Sequence, residues 1–287
     1  MAMDGERMRR AYASAGRISR ERIAREAPLD AAALEAVEAS DVVVVRGSYD
    51  RVELVLEALG LPYTAVEPHQ LGQVRLRPEQ LLVVNCPGHL GPEGIARVRR
   101  FVEGGGSLFT TDWALRHVLE PAFPGVVSYP GRPTADDVVR IEVRDHDNPF
   151  LRGVADPGAD PLWWLEGSSY PIRVLDPGVR VLIASQELER KYGEAPVVVL
   201  FRAGEGEVLH LISHYYLQRT ELREARQRQS AAAFAAAVGV EADEGMADLF
   251  AGEVESAASS ARLVANVVAR KKRRGPEAPV EGRDAGA

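Results

Sequence analysis

The chain has one cysteine, Cys86, among its 287 residues. That excludes an internal disulfide and a zinc cage built from cysteines, and it suits a reducing compartment. No apolar run approaches the roughly 18 residues needed to cross a bilayer. The opening stretch, MAMDGERMRRAYASAG, holds no apolar segment of the secretory kind. A cytoplasmic protein with no membrane partner is the expectation. Positive charge is not in excess either: the formal net charge is −7, so a nucleic-acid partner is not expected. Glycine patterns that cradle nucleotides are missing, as are a Walker lysine and an HExxH. None of the six histidines, His69, His89, His117, His146, His210 and His214, forms a pair on one helical face. His210 and His214 fall in a strand pattern, on one face but roughly 13 Å apart, too far for one ion. The sequence therefore predicts no cofactor and no metal.

What is present is the alternation of an α/β fold. Asp41 is followed by VVVV, a β-branched run of the kind buried on both faces of a parallel sheet. The loop Arg46-Gly47-Ser48 leads into a helix whose apolar positions are Val52, Val55, Leu56 and Leu59, closed by Gly60. From Leu81 the order repeats: LLVVN, a glycine-containing loop, a helix with Ile95, Val98, Phe101 and Val102 on one face, then Gly104-Gly105-Gly106 and SLFTTD. These alternations predict an α/β protein with a flavodoxin-like, mostly parallel sheet flanked by helices, with N- and C-terminal helical additions.

The remainder is read more coarsely. Residues 1–40 form an Arg-rich helical extension separate from the core, residues 41–218 the α/β core, and residues 219–270 helices packing on it. Residues 271–287 form a basic-then-acidic tail without core-forming residues. LWWLEGSSYPI reads as aromatic and irregular. With aromatics at only 6% of the chain, Trp163, Trp164, Glu166 and Tyr170 stand out as pocket lining or core packing. PVVVLFRAG and GEVLHLISHYY resemble a hairpin across Gly204-Glu205-Gly206. Arg270-Lys271-Lys272-Arg273-Arg274 favours the end of a helix.

Several pieces, in this order, resemble one superfamily: a strand ending in NCPG, a helix closing in FVEGGGSL before the next strand, the DHDNPFLRGV loop, the EAPVVVLFRAGEGEVLHLISHYY hairpin and the SARLVANVVAR helix. Together they are similar to class I glutamine amidotransferase-like domains. They resemble most their non-canonical branch, which includes ThuA-like proteins and the trimerisation domain of some β-galactosidases. The resemblance spans roughly residues 41–270. It implies that the strand after the triple glycine leads to the family's nucleophile elbow. In this chain that position reads Thr110-Thr111-Asp112-Trp113-Ala114, with no thiol and no flanking glycine. No late His-x-Glu pair follows, so glutamine hydrolysis by the family route is not expected.

Cys86 instead ends the preceding strand, where the resemblance implies a loop that helps build the oxyanion site. A thiolate there would need a base, and His89 or His214 could serve. Pro87, however, has no amide to give an oxyanion, and a small residue filling space is the plainer role for Cys86. The pocket expected at the carboxyl ends of the strands gathers Gly47, Ser48, Asn85, Gly88, His89, Asp112, Trp113, Glu166 and His214 as ligand-binding residues. Ser48 and backbone amides would meet polar groups and Trp113 would stack. Asp50 or Ser48 would cap the helix that follows. The first functional expectation is a non-catalytic, pseudoenzyme-like domain that binds a small-molecule ligand or scaffolds a protein partner. The alternative is a hydrolase or transferase on a small, sugar-like substrate, with Asp112, Glu166 and His214 as acid and base and Cys86 as a weaker candidate. Its requirement is that those groups lie within about 8 Å of one another. A third reading is an oligomerisation module whose long helices build a homo-oligomer.

Overall fold

The structure, a computed structural model, describes residues 5–156, 159 and 161–274. Its centre is a sheet in the order β2-β1-β3-β4-β12-β11-β10-β7. The parallel half comprises β1 (Val42–Val45), β2 (Thr64–Val66), β3 (Leu81–Val84) and β4 (Ser107–Thr111), with β12 (Gly206–Leu211) beside β4. The other half is antiparallel: β11 (Pro196–Ala203) turns back from β12, followed by β10 (Arg180–Ala184) and β7 (Glu142–Val143). The sheet is mostly parallel and flanked by helices, so the α/β, flavodoxin-like expectation holds. All four valines of β1 and all four residues of β3 are buried, as continuous apolar runs require when helices cover both faces.

The expected hairpin is present, with Ala203 paired to Gly206. Gly206 has no room for a side chain, since a Cβ there would lie 2.1 Å from the Val102 carbonyl oxygen. The chain steps from β1 out to β2 and then back across β1 to β3. Between the carboxyl ends of β1 and β3 lies the reversal of direction where ligands settle in open α/β sheets.

Short strands add a second tier above this edge. β5 (Val127–Ser128) pairs with β9 (Arg173–Val174), and β6 (Asp137–Arg140) pairs with β8 (Leu162–Leu165). The LWWL segment expected to be irregular is therefore strand β8. Alternation sends its two indoles to opposite sides, and both are buried. Trp163 donates to the Ser259 hydroxyl at 2.9 Å and Trp164 to the Asp136 carboxylate at 2.6 Å. Both are packing residues.

The helices are α1 (Gly5–Glu26), α2 (Pro28–Glu35), α3 (Val52–Ala58), α4 (Gly91–Glu103), α5 (Glu120–Ala122), α6 (Gln186–Tyr192), α7 (Ala231–Ala237) and α8 (Ala251–Arg274). The N-terminal extension is helical as read, but it is not separate from the core. Met8, Tyr12, Ile18 and Ile23 of α1 are buried in the common apolar core. Gly16 lets α1 touch the backbone at Ala58. The arginines of α1 are largely engaged: Arg7 clamps Glu253 with two bonds of 2.6 Å, and Arg22 grips Asp156 at 2.7 and 2.8 Å.

At the other end, α8 is buried along nearly its whole length, and several of its buried polar side chains are paired. Ser260 meets the Tyr12 hydroxyl at 2.8 Å, Arg262 meets Glu26 at 3.1 Å, and Asn266 donates to the Phe150 and Arg152 carbonyls at 2.9 Å. Residues 271–274, placed in a tail by sequence, belong to α8; the rest of that expectation, residues 275–287, lies outside the described residues. Residues 220–230, read as helix, are mostly irregular because Arg223 is held by Glu187, Glu221 and the Val138 carbonyl. Among the described residues no helix is long and apolar enough to cross a membrane.

Candidate active site

Strand register brings the candidate residues together. Val84 lies opposite Thr110 and Leu211 opposite Thr111. Cys86, Asp112 and His214 therefore leave three adjacent strand ends within a few residues of the same level. The chain turns sharply at Asp112, whose φ is +40°. Its amide donates to the Leu211 carbonyl and its carbonyl accepts from Leu115, each at 2.8 Å. This is a strand-to-helix elbow without glycine, with a carboxylate at its apex where the amidotransferase-like pattern implies a thiol. A left-handed aspartate carries local strain, and two contacts hold it: the Tyr170 amide donates to Oδ1 at 2.6 Å and His214 Nε2 lies 2.8 Å from Oδ2.

His214 lies beyond the end of β12 and is 3% exposed. Its position is set from behind. Asp50, from the loop after β1, accepts from the Tyr215 amide at 2.8 Å, and the Tyr12 hydroxyl accepts from the Leu217 amide at 2.8 Å. Asp50 also accepts from the Arg51 amide at 2.7 Å. Its task is thus to pin the His214 segment to the loop after β1, beyond the simple helix cap expected of it. On the open side, Glu166 follows β8 and brings Oε2 to 2.6 Å from His214 Nδ1. That approach lies off the hydrogen-bonding direction, so it is an electrostatic contact between two buried atoms. The imidazole is held between two carboxylates. Cys86 Sγ completes the group, 4.0 Å from Asp112 Oδ2, and the donor atoms of Cys86, Asp112 and His214 all lie within 4.8 Å of one another.

These contacts shift the protonation of each group. Burial alone would lower the His214 value, but Asp112, Cys86, Glu166 and Asp50 outweigh it and hold the imidazole well above its ordinary 6.5. Burial raises Asp112, with His214 pulling against it. Burial raises Asp50 to about 6, again opposed by His214. The Cys86 thiol is pushed up to about 11 by burial, helped by Asp112 and opposed by His214. A thiol so placed is protonated at neutral pH and is not an activated nucleophile.

A pocket of about 170 Å³ opens over the group, lined by Tyr49, Cys86, Asp112, Trp113, Glu166, Gly167, Ser168 and His214. Trp113 donates its indole N–H to the Ser168 carbonyl at 2.7 Å, joining two walls. Tyr170 stacks on Trp113 with ring centres 5.2 Å apart, and Tyr49 tilts against Trp113 at 5.4 Å. Of the residues expected in the pocket, Asp112, Trp113, Glu166 and His214 line it together, joined by Cys86, for which space-filling was the plainer expectation.

The other expected residues take supporting places. Asn85 is fully buried, accepts from the Val52 amide at 3.2 Å and donates to Glu53 at 2.8 Å, so it anchors the start of α3. Gly47 packs on the Cys86 carbonyl, and the Ser48 amide donates to that same oxygen at 3.1 Å. Gly88, at φ +75°, lies against Val118 and Ala114. His89 is exposed and meets His117 edge-on at 4.4 Å. Sequence reasoning missed Tyr49, Gly167 and Ser168. The turn chemistry of GSYD and EGSSY marked both segments as loops, but only the fold shows that they face each other.

No protein-family model matches the chain, and no curated protein matches it. Solved structures do. PurLQS from Thermotoga maritima superposes with a TM-score of 0.52 at 13% identity, over 79% of this chain and 96% of that one. A ThuA-like protein from Bacteroides uniformis gives a TM-score of 0.44 at 12% identity, covering 62% of this chain and 84% of its own. An exo-β-1,4-mannosidase from an Opitutaceae bacterium gives 0.42 at 12% identity over 61% of this chain, which spans only 31% of that enzyme. At such identities the likeness is one of fold alone, the α/β fold that this chain shares with PurLQS over most of its length.

Proposed function

We propose that this chain is an enzyme of the non-canonical amidotransferase-like branch that hydrolyses, or transfers a group from, a small polar substrate without the family's elbow cysteine. The observation that carries the reading is the close grouping of Asp112, His214 and Glu166, with His214 Nε2 2.8 Å from Asp112 and Nδ1 2.6 Å from Glu166, under a pocket at the reversal point of the sheet. Carboxylates and an imidazole satisfy the reach that proton transfer requires. Glu166, whose side chain is 35% exposed, is the member that meets substrate and moves its proton. His214 and Asp112, almost wholly buried, hold Glu166 in place and carry the balancing charge. A binding domain does not need three ionisable groups aligned in this way, since desolvating them is costly. Trp113 and Tyr49 supply the apolar wall on which a ring or planar group rests.

The test is turnover of a panel of activated esters, amides, phosphates and glycosides by the wild-type chain and by Glu166→Gln. The reading expects at least one chemistry to be turned over, with kcat falling about 100-fold or more in the variant. Wild-type protein that turns over none of them, or a variant equal to wild type, overturns it. A ligand that raises Tm without being consumed would return the pocket to the non-catalytic reading.

A further inference from the structure

We infer that Cys86 Sγ, Asp112 Oδ2 and His214 Nε2 together form a binding site for one divalent transition metal of the zinc class, with the fourth coordination position facing the pocket. The inference rests on the catalytic reading of the same pocket, but its test does not depend on turnover.

The argument begins with the donor set. Thiolate, imidazole and carboxylate are the three side chains that zinc takes, and catalytic sites use three protein ligands with one position left open. These three come from adjacent strand ends, so their backbones are held by the sheet. The Cys86 amide donates to Thr111 Oγ1 at 2.9 Å and the Asp112 amide to Leu211, while Asp50 pins the residue after His214. A tetrahedral ion with bonds of about 2.0–2.3 Å sets its ligands roughly 3.3–3.8 Å apart. The observed separations are 2.8 Å from Nε2 to Oδ2 and 4.0 Å from Sγ to Oδ2, with every donor within 4.8 Å of the others. Shifts of a few tenths of an ångström to about an ångström would seat the ion.

Two further observations fit a metal better than a hydrogen-bonded cluster. Metal-binding histidines present their second nitrogen to a carboxylate, which fixes the ring and raises its donor strength. Glu166 already stands 2.6 Å from His214 Nδ1, buried and out of line for a bond in the present orientation. The cluster is also short of positive charge, because Asp112, Glu166 and Asp50 surround a single imidazole and Asp50 Oδ2 is buried without a partner. On binding, the Cys86 thiol and the His214 imidazolium each lose a proton to solvent, and the sulfur and Nε2 bond to the ion. Thiolate and Asp112 then balance the two charges of the metal, and His214 binds as neutral imidazole. The sequence showed no metal motif because these ligands stand 26 and 102 residues apart, united only by the sheet.

The full chain is loaded with Zn²⁺ or Co²⁺, dialysed and assayed for bound metal. The expected result is about one ion per chain, with a sulfur-to-cobalt charge-transfer band in the Co²⁺ form. Cys86→Ser should abolish that band, and Asp112→Asn should lower the metal content. Glu166→Gln should keep the band but weaken affinity about 10–100-fold. Circular dichroism checks that each variant is folded, and His69→Gln, at an exposed histidine outside the pocket lining, should bind normally. Wild-type protein that retains no metal after dialysis, or a cobalt spectrum unchanged by Cys86→Ser, overturns the inference. The two readings separate cleanly. Cobalt bound through Cys86 in a chain that turns nothing over refutes the catalytic reading alone, while a chain that turns substrate over yet retains no metal after loading refutes the metal site alone.

Discussion

His210 makes a pH-dependent prediction that tests the depth of the sheet's core. It is fully buried in β12, paired through Nδ1 with the Thr110 hydroxyl at 2.9 Å. Burial pushes the imidazole from its ordinary 6.5 down to about 3. A base depressed on folding leaves stability untouched above its unfolded value and removes it as pH falls, because the unfolded chain then binds the extra proton. The window therefore runs from about 6.5 down to about 3. At pH 5 the unfolded imidazole is mostly charged and the buried one is not. A gap of about 1.5 pH units at 1.36 kcal/mol per unit costs about 2 kcal/mol, against almost nothing at pH 7.5. Asp50, raised to about 6, pulls the other way as pH falls, but it is common to both proteins. Urea unfolding of wild type and His210→Asn at the two pH values isolates the term. The variant should start less stable, because it leaves a void, yet lose about 2 kcal/mol less between pH 7.5 and pH 5. Equal losses would show that His210 is not held neutral in the core.

Three other substitutions probe how the site is supported. Gly16→Ala would put a Cβ 2.1 Å from the Ala58 carbonyl oxygen; backbone cannot yield cheaply, so thermal unfolding should show a loss of about 3 kcal/mol. Tyr12→Phe removes the acceptor of the Leu217 amide and the partner of Ser260, which should cost about 1–3 kcal/mol and speed hydrogen exchange at Leu217 more than at Val83. Trp163→Phe leaves the Ser259 hydroxyl without its donor and a small void behind it; denaturant titration should show a loss of about 1–3 kcal/mol with the pocket's metal affinity unchanged.

The parallel half of the sheet was legible because its strands announce themselves. VVVV and LLVV are continuous apolar runs, and triple glycine and Gly60 mark helix ends. Burial on both faces forces that pattern, so residues 41–111 could be read directly. The elbow was half legible. The missing thiol was visible, but a left-handed Asp112 was not, because without glycine nothing local signals the turn; it is imposed by Leu211, Tyr170 and His214. Trp163 and Trp164 misled for a related reason. Four residues of strand paired only to β6 leave a periodicity too short to recognise, and tertiary packing decided it. His214 was placed in a strand by alternation, whereas β12 ends at Leu211 and Asp50 captures the segment that follows. The site is a product of register between distant strands, which spacing along one chain does not encode.

The enclosure of α8 has a consequence for how the molecule must be made. Its partners on one side are α1 and α2, formed from the first forty residues, and the Tyr12 hydroxyl on α1 also carries the segment that presents His214. A ribosome releases α1 long before α8 exists, so the earliest helix must wait for the latest one to bury its apolar face. A gene fragment begun at residue 41, where the α/β portion starts, would strip one wall from a helix buried along nearly its whole length, and it would yield insoluble protein rather than a minimal domain.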